Sequence, residues 1–393
     1  MLLACATPAG TGQTATVDAL CADGMDWPRL LQLAAIHKMR PLLFHHLRHA
    51  APDRVPPAVM EGLRQHAHAN LARNLLLTQA LVHLIERLRQ SGIEAIPFKG
   101  PTLAMLAYGN LGLREFADLD ILVAAPEVMR TSRVLQEEGW TASAEIQDWM
   151  IPLLADGQRG FRKGAMTIDL HWAIMPKRSF FAPPPFPERV SMSLMGRPID
   201  IFRIEDHLLL LCLHGTKDAW DRLYMISGVA ALIAGHPTLD WDRLLQQARR
   251  YKSIKLLTFA LFLVQNALGV RLPPLAQAQI ALLRDRARLA DKVMQRWPHP
   301  TQNAWRYHIN HFLFEWWTLT SPRDRLRYIL ATTIPATTDM RLIGLPRALR
   351  GLYYLVRPLR WIWKYGVGSW QIPRLRRLSE RWRKNPSDKP CTR

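Results

Sequence analysis

The chain has 393 residues, of which 49% are hydrophobic and 21% are charged. That balance belongs to a folded protein of two or three domains and excludes a mainly disordered or fibrous one. Fifty-two Lys and Arg against 32 Asp and Glu leave a net charge of +20, which favours an anionic partner such as nucleic acid, a phospholipid surface or a polyanionic substrate.

Residues 1–25 are small and polar, with one weak helical stretch. Helical spacing begins at Trp27 and runs to Arg48. A longer helix is predicted from about Pro57 to Arg89. There Leu71, Leu75, Val82, Ile85 and Leu88 recur three, four or seven residues apart and give one buried stripe, with Thr78 as its polar interruption. Gly92 is placed to end it. The pattern then changes. Glu94 to Phe98 reads as a short strand, and Pro101 to Tyr108 as a helix with Pro at its first position. Leu119 to Val123 reads as an apolar strand, and Pro126 to Glu138 as a helix stopped by Gly139. Gln158 to Lys163 and Met166 to Trp172 read as two strands joined at Gly164. The run Pro183-Pro-Pro-Phe-Pro187 is a stiff connection. Helical pattern returns over 205–216, 219–235, 240–250, 253–268 and 303–318.

Cys5, Cys21, Cys212 and Cys391 stand apart, with neither a disulfide framework nor a zinc spacing. They fit a reducing, cytoplasmic location. The start Met-Leu-Leu-Ala-Cys5 lacks the basic and apolar segments of a lipoprotein signal, so none is expected. No window of about 18 residues is apolar and uncharged, so no spanning helix is expected either. Residues 341–393 hold 14 Lys and Arg against Glu380 and Asp388, a local excess of +12. Arg357 to Lys364 interleaves Arg with Leu and Trp. That pattern suits an interfacial helix, a nucleic-acid surface or a solvated basic face. Trp305, Trp316, Trp317, Tyr353, Tyr354, Trp361, Trp363 and Trp370 read as base-stacking rings, as core or as interface anchors. Disorder is expected beyond Lys384.

The most informative stretch is Lys99-Gly100, then Arg114, then Asp118-Leu-Asp120-Ile-Leu-Val123. Side chains alternate along a strand, so Asp118 and Asp120 project together while Leu119 and Ile121 enter the core. Two adjacent carboxylates repel each other unless a cation neutralises them. Hard oxygen ligands suit Mg²⁺, which binds one or two carboxylates together with substrate phosphates. In Thr167-Ile-Asp169-Leu-His171, Ile168 and Leu170 face one side, and Thr167, Asp169 and His171 face the other. With the two strands adjacent, Asp169 completes a three-acid cluster able to hold two metal ions. His207 and His214 are seven apart on one helix face, a weak metal spacing that fits packing or substrate contact better.

This order of elements and acids resembles the DNA polymerase beta-like nucleotidyltransferase superfamily. Within it the chain is similar to a bacterial group of uncharacterised nucleotidyltransferases. The matching residues are Lys99-Gly100, Arg114, Asp118 to Val123, Ile168-Asp169-Leu-His-Trp172, and the helical set His214, Lys217, Trp220, Arg222 and Leu223. Two departures stand out. Lys99-Gly100 takes the place of the superfamily's Gly-Ser turn, and Gly228 stands where similar sequences carry an Asp.

The resemblance implies an α+β fold, with a small mixed-sheet nucleotidyltransferase core embedded in a mostly helical chain. The expected parts are an N-terminal helical region (1–92), a catalytic core (93–203), a C-terminal helical domain (204–340) and a basic, aromatic-rich tail (341–393). The implied reaction moves an NMP group from an NTP to an acceptor and releases pyrophosphate. Asp118, Asp120 and Asp169 would be catalytic and hold Mg²⁺, as one or two ions. Lys99, Gly100, Arg114, His214 and Lys217 would contact the nucleotide. The acceptor is left open among a small molecule, a sugar, a peptide or protein, and RNA. The alternatives are a catalytically degenerate binding module and an RNA-modifying transferase. The tail would take an anionic partner, a membrane surface or nucleic acid. The location would be cytoplasmic, or peripheral at the inner membrane.

Overall fold

The computed structural model describes residues 1–7, 11–21, 24–147, 150–151, 154, 157–174, 188–299, 312–317, 319, 322–331, 333–335 and 347–361. The stiff connection at 183–187, the first part of the helix expected over 303–318, and the tail beyond residue 361 lie outside the described residues. No helix among the described residues is long and apolar enough to cross a membrane.

Four helices precede the sheet: α1 (Thr11–Leu20), α2 (Trp27–Ile36), α3 (Arg40–Ala50) and α4 (Pro57–Gln90). The mixed segment holds β1 (Ala95–Phe98), α5 (Gly100–Tyr108), β2 (Asp118–Val123), α6 (Val128–Glu137), β3 (Thr141–Ala142), β4 (Gln158–Lys163) and β5 (Met166–His171). The hairpin β6 (Arg189–Leu194) and β7 (Arg197–Phe202) follows. Then come α7 (Ile204–Lys217), α8 (Leu223–Gly235), α9 (Trp241–Arg250), α10 (Ile254–Leu268), α11 (Pro274–Leu282) and α12 (Arg286–Met294). The main sheet has the order β1-β2-β5-β4-β3. Strands β2 and β5 are parallel, and the other neighbours are antiparallel. The fold is therefore α+β, a mixed sheet set among helices.

One core joins the flanks of the chain. Leu43 and Leu47 of α3 pack with Leu208 of α7, Trp220, and Phe259 and Leu263 of α10. Leu2, Cys5, Ala6 and Val17 belong to it too, so the small-residue start is buried against larger neighbours. The second core lies between α4 and one face of the sheet, with Leu77, Leu81, Leu84 and Leu88 against Leu119, Ile121, Phe161 and Ile168. Leu122 alternates to the other sheet face, where Ile96, Phe98, Phe202 and Leu210 cover it.

The structure corrects the sequence reading at four places. The Trp27–Arg48 stretch is two helices, broken at Lys38 with φ 54°. Beside the break, buried His37 accepts the Leu223 N–H at Nδ1 (3.3 Å), and its Nε2–H donates to the Trp297 carbonyl (2.8 Å). The α4 stripe is rotated from the predicted one. Leu71 and Leu75 are exposed, while Asn70, Asn74, Leu77, Leu81 and Leu84 are buried; Thr78 is buried as expected. Asn74 Nδ2 donates to the carbonyls of Leu111 (2.7 Å) and Arg114 (2.8 Å), and Asn70 Nδ2 to those of Gly112 (3.0 Å) and Arg114 (3.2 Å). A buried amide with partners is tolerated, and an apolar count does not detect it.

The predicted 219–235 helix begins only at Leu223, because Ala219 and Trp220 take φ of 50° and 55°. The Trp220 ring is fully buried against Gly215, where a Cβ would lie 2.5 Å from it. Finally, residues 189–202 form the β6–β7 hairpin, where the sequence predicts no strand. Its turn residues Met195 and Gly196 have φ of 50° and 75°, as a two-residue hairpin turn requires. Met in the first of those positions gives no turn signal.

Candidate active site

The parallel pairing of β2 and β5 builds the site. Its register sets Asp118 opposite Thr167, Asp120 opposite Asp169, and Leu122 opposite His171. Ile168 and Leu170 are fully buried on one face, leaving Asp169 and His171 on the face of Asp118 and Asp120. One ligand atom each from Asp120, Asp169 and His171 lies within 4.8 Å of the others. Asp118, two residues earlier on the same face, is not in that compact group.

Asp120 is only 5% exposed. Its Oδ1 accepts from Lys99 Nζ and from His171 Nε2, both at 3.0 Å. Burial pushes its carboxyl up, but the Lys99 charge and the His171 hydrogen bond outweigh that and hold it well below the usual carboxylate range. An ionised carboxylate only accepts, so His171 Nε2 carries the hydrogen. The His171 ring stands edge-on to Phe98, with centroids 5.0 Å apart. Asp169 goes the other way. Burial raises it, and the charges of Asp120 and Asp118 add to the rise against the pull of His171.

Lys99 and Gly100 form the turn between β1 and α5, with φ of 60° and 39°. A Cβ at Gly100 would sit 3.4 Å from the Asp118 carbonyl, so the turn runs close to β2. The Lys99 carbonyl accepts from the Leu103 N–H (2.9 Å) and the Thr102 hydroxyl (2.7 Å), which starts α5 beside the acids. Arg114 follows a short 3-10 turn, Leu111–Leu113, whose carbonyls Asn70 and Asn74 hold. Its guanidinium lies 5.9 Å from the Phe116 ring centroid.

Helix α7 roofs the same sheet face. Leu210 covers Leu122, and His214 lies one turn further along. Desolvation pushes His214 well below its ordinary value, and the charges of Lys99 and Lys217 push the same way against Asp120. His214 Nδ1 lies 3.2 Å from Asp218 Oδ2. Tyr224, at the start of α8, is pushed up to about 12 by burial, with Asp218, Asp118 and Asp120 adding and Arg114 opposing.

The structure thus gathers Lys99, Gly100, Arg114, Asp118, Asp120, Asp169, His214 and Lys217 around one end of β2. It adds His171 and Tyr224, which sequence reasoning did not select. The alternation on β5 carried the signal for His171. Nothing local marked Tyr224. His207 is elsewhere, buried, with Nδ1 donating to the Phe202 carbonyl at 3.1 Å. The Asp120–Asp169 pair fits a divalent cation, because its donors are hard oxygens and its carboxylates crowd one another, while the His171 Nε2–H is donated to Asp120 beside them.

Residues 23–269 match the model of a family described as uncharacterised nucleotidyltransferase. No curated protein matches the chain. Among solved structures, the solution structure of the antibiotic-resistance factor ANT(2'')-Ia is 10% identical, covering 46% of this chain and 93% of that one, with a TM-score of 0.34. A likeness at that score carries no argument.

Proposed function

The chain belongs to the uncharacterised nucleotidyltransferase family, and from that premise we propose that it moves an NMP group from an NTP to an acceptor hydroxyl and releases pyrophosphate. The observation that carries this reading is the β2–β5 register, which sets Asp120 beside Asp169 with Lys99 on Asp120.

Asp118, Asp120 and Asp169 would hold Mg²⁺, with His171 beside them. When bound, the cation neutralises phosphate charge and makes a nearby hydroxyl more acidic. The acceptor oxygen forms a bond to the α-phosphorus. The bond from that phosphorus to the bridging oxygen breaks, and pyrophosphate leaves with the electron pair. The acceptor proton goes to Asp169, which stands directly opposite Asp120 on the adjacent strand. His171 fixes Asp120 by its hydrogen bond, and Phe98 fixes the His171 ring. Lys99 and the first amides of α5 bind phosphate oxygens. His214 and Lys217 close the site from α7, where Lys217 adds positive charge. Positioning and charge neutralisation of this kind make up most of phosphoryl-transfer catalysis. In this reading residues 93–203 are the catalytic core, and α7 of the C-terminal helical region (204–340) provides its roof.

The test incubates the purified full chain with Mg²⁺ and each labelled NTP and follows pyrophosphate. Asp120→Asn keeps the volume and removes the charge. It should lower turnover about 10²–10³-fold, with thermal unfolding still cooperative. Equal pyrophosphate release by a folded Asp120→Asn protein would overturn the assignment.

A further inference from the structure

The acids have cations on two sides. On one, Lys99 is 3.0 Å from Asp120 Oδ1, and Lys99 and Lys217 both act on His214. The other side is built from the N-terminal helices and the loop before β2. Lys38 stands in the α2–α3 break, exposed, with Nζ 5.2 Å from the centroid of the Tyr224 ring. The charges that act on it are Arg114, Asp118, Glu115 and Arg73.

Those charges do not balance. Glu115 is engaged by Arg40 at 3.3 Å and by His66 at 3.2 Å. Arg73 donates to Asn70 Oδ1 at 2.9 Å. Neither Lys38 nor Arg114 has a carboxylate within ion-pair distance among the described residues. Arg114 Nη1 is buried with no hydrogen-bond partner, so its guanidinium is short of acceptors. Yet the backbone of Arg114 is held firmly, because two buried amides of α4 grip its carbonyl. A guanidinium short of acceptors on a fixed backbone, beside an exposed lysine, fits an anion with several oxygens.

We propose that Lys38 and Arg114 form a phosphate subsite on the Asp118 side of the cleft, walled by Tyr224, which takes the terminal phosphates of the NTP. The proposal rests on the nucleotidyl-transfer reading above. The choice of the terminal phosphates follows from position. The Arg40–Glu115 pair, at 3.3 Å, brings the α2–α3 break to the loop that enters β2 at Asp118, whereas Asp169 stands opposite Asp120, further along the strand. The departing pyrophosphate gains charge as its bond breaks, and cations on that side stabilise it.

Calorimetric titration of the full chain with Mg²⁺ tests this, using each NTP, the matching NMP and inorganic tripolyphosphate. Lys38→Met keeps the stem against Tyr224 and removes the charge. It should weaken NTP and tripolyphosphate binding about tenfold and change NMP binding less than about twofold. Lys38→Arg should restore the affinity. If Lys38→Met binds NTP and tripolyphosphate like the parent protein, or loses NTP and NMP equally, the subsite is wrong while nucleotidyl transfer stands. If the parent protein binds no NTP and releases no pyrophosphate, both fail together.

Discussion

Asp120 and Asp169 meet through a strand pairing in which each neighbour fixes the next residue's face. Arg114, His214 and Tyr224 stand on separate elements, and the Arg114 carbonyl is held by Asn70 and Asn74, about 40 residues earlier in sequence. The floor is rigid by local periodicity and backbone hydrogen bonds. The helical wall is held because the first core ties the N-terminal helices to α7, α8 and α10. A floor residue is therefore sensitive to its own chemistry, and a wall residue to packing some distance away.

The largest test of that contrast is Trp220→Ala. The ring fills the α7–α8 corner, and its neighbours hold its backbone: Trp297 Nε1 donates to the Trp220 carbonyl (2.8 Å) and Arg296 Nη2 to that of Ala219 (2.6 Å). Truncation should cost about 3–5 kcal/mol. It should also weaken NTP binding without altering any floor residue, because the corner sets where α7 ends and α8 begins. Chemical denaturation and nucleotide titration check both halves. A variant with lowered stability but unchanged NTP affinity would show that the wall does not need this corner to face the acids.

The same contrast explains what the sequence made legible. Strand alternation placed Asp118, Asp120 and Asp169 on one face, because period 2 is a property of the backbone. Lys99-Gly100 was legible as a turn between strand and helix. The buried Asn70 and Asn74 were not, since an apolar stripe is read by side-chain hydropathy and theirs is wrong for a core. Their partners are carbonyls about 40 residues away in sequence, at Leu111, Gly112 and Arg114. Trp220 looked helical for a related reason. Its positive φ is imposed by the close approach of its ring to Gly215, a tertiary contact.

Acidification separates floor from wall next. Asp120 is held well below the usual carboxylate range, so its contribution is present above about pH 4 and is lost only as pH falls through its lowered value. His207 behaves oppositely. Burial lowers it from 6.5 to about 4, so between those values the unfolded chain binds the proton and the folded one does not. Stability is then full above about pH 6.5 and declines as pH drops towards 4, by about 2 kcal/mol at pH 5 for this one group. Between pH 7 and 5 the wall should weaken while the Asp120 contribution holds. Denaturation of the parent protein and of His207→Gln at both pH values checks this. The parent should lose about 2 kcal/mol more than the variant, and equal losses would contradict the assignment.

The smallest effect concerns how tightly the wall is packed away from that corner. Gly215 and Gly228 both lie in wall helices, yet their surroundings differ. A Cβ at Gly215 would strike the Trp220 ring, whereas at Gly228 the nearest atom is Leu211 Cδ1 at 3.9 Å, an ordinary contact. Gly228 has no unusual backbone angle, and it sits inside α8, where Gly loses more freedom on folding than Ala. Gly228→Ala should therefore stabilise the chain by about 0.5–1 kcal/mol. NTP turnover should not change, because no site residue moves to admit one methyl group. Thermal unfolding and pyrophosphate release measure the two quantities independently. A destabilised Gly228→Ala would mean that the wall is packed without slack along all of α8, and the contrast with Gly215 would then be one of degree.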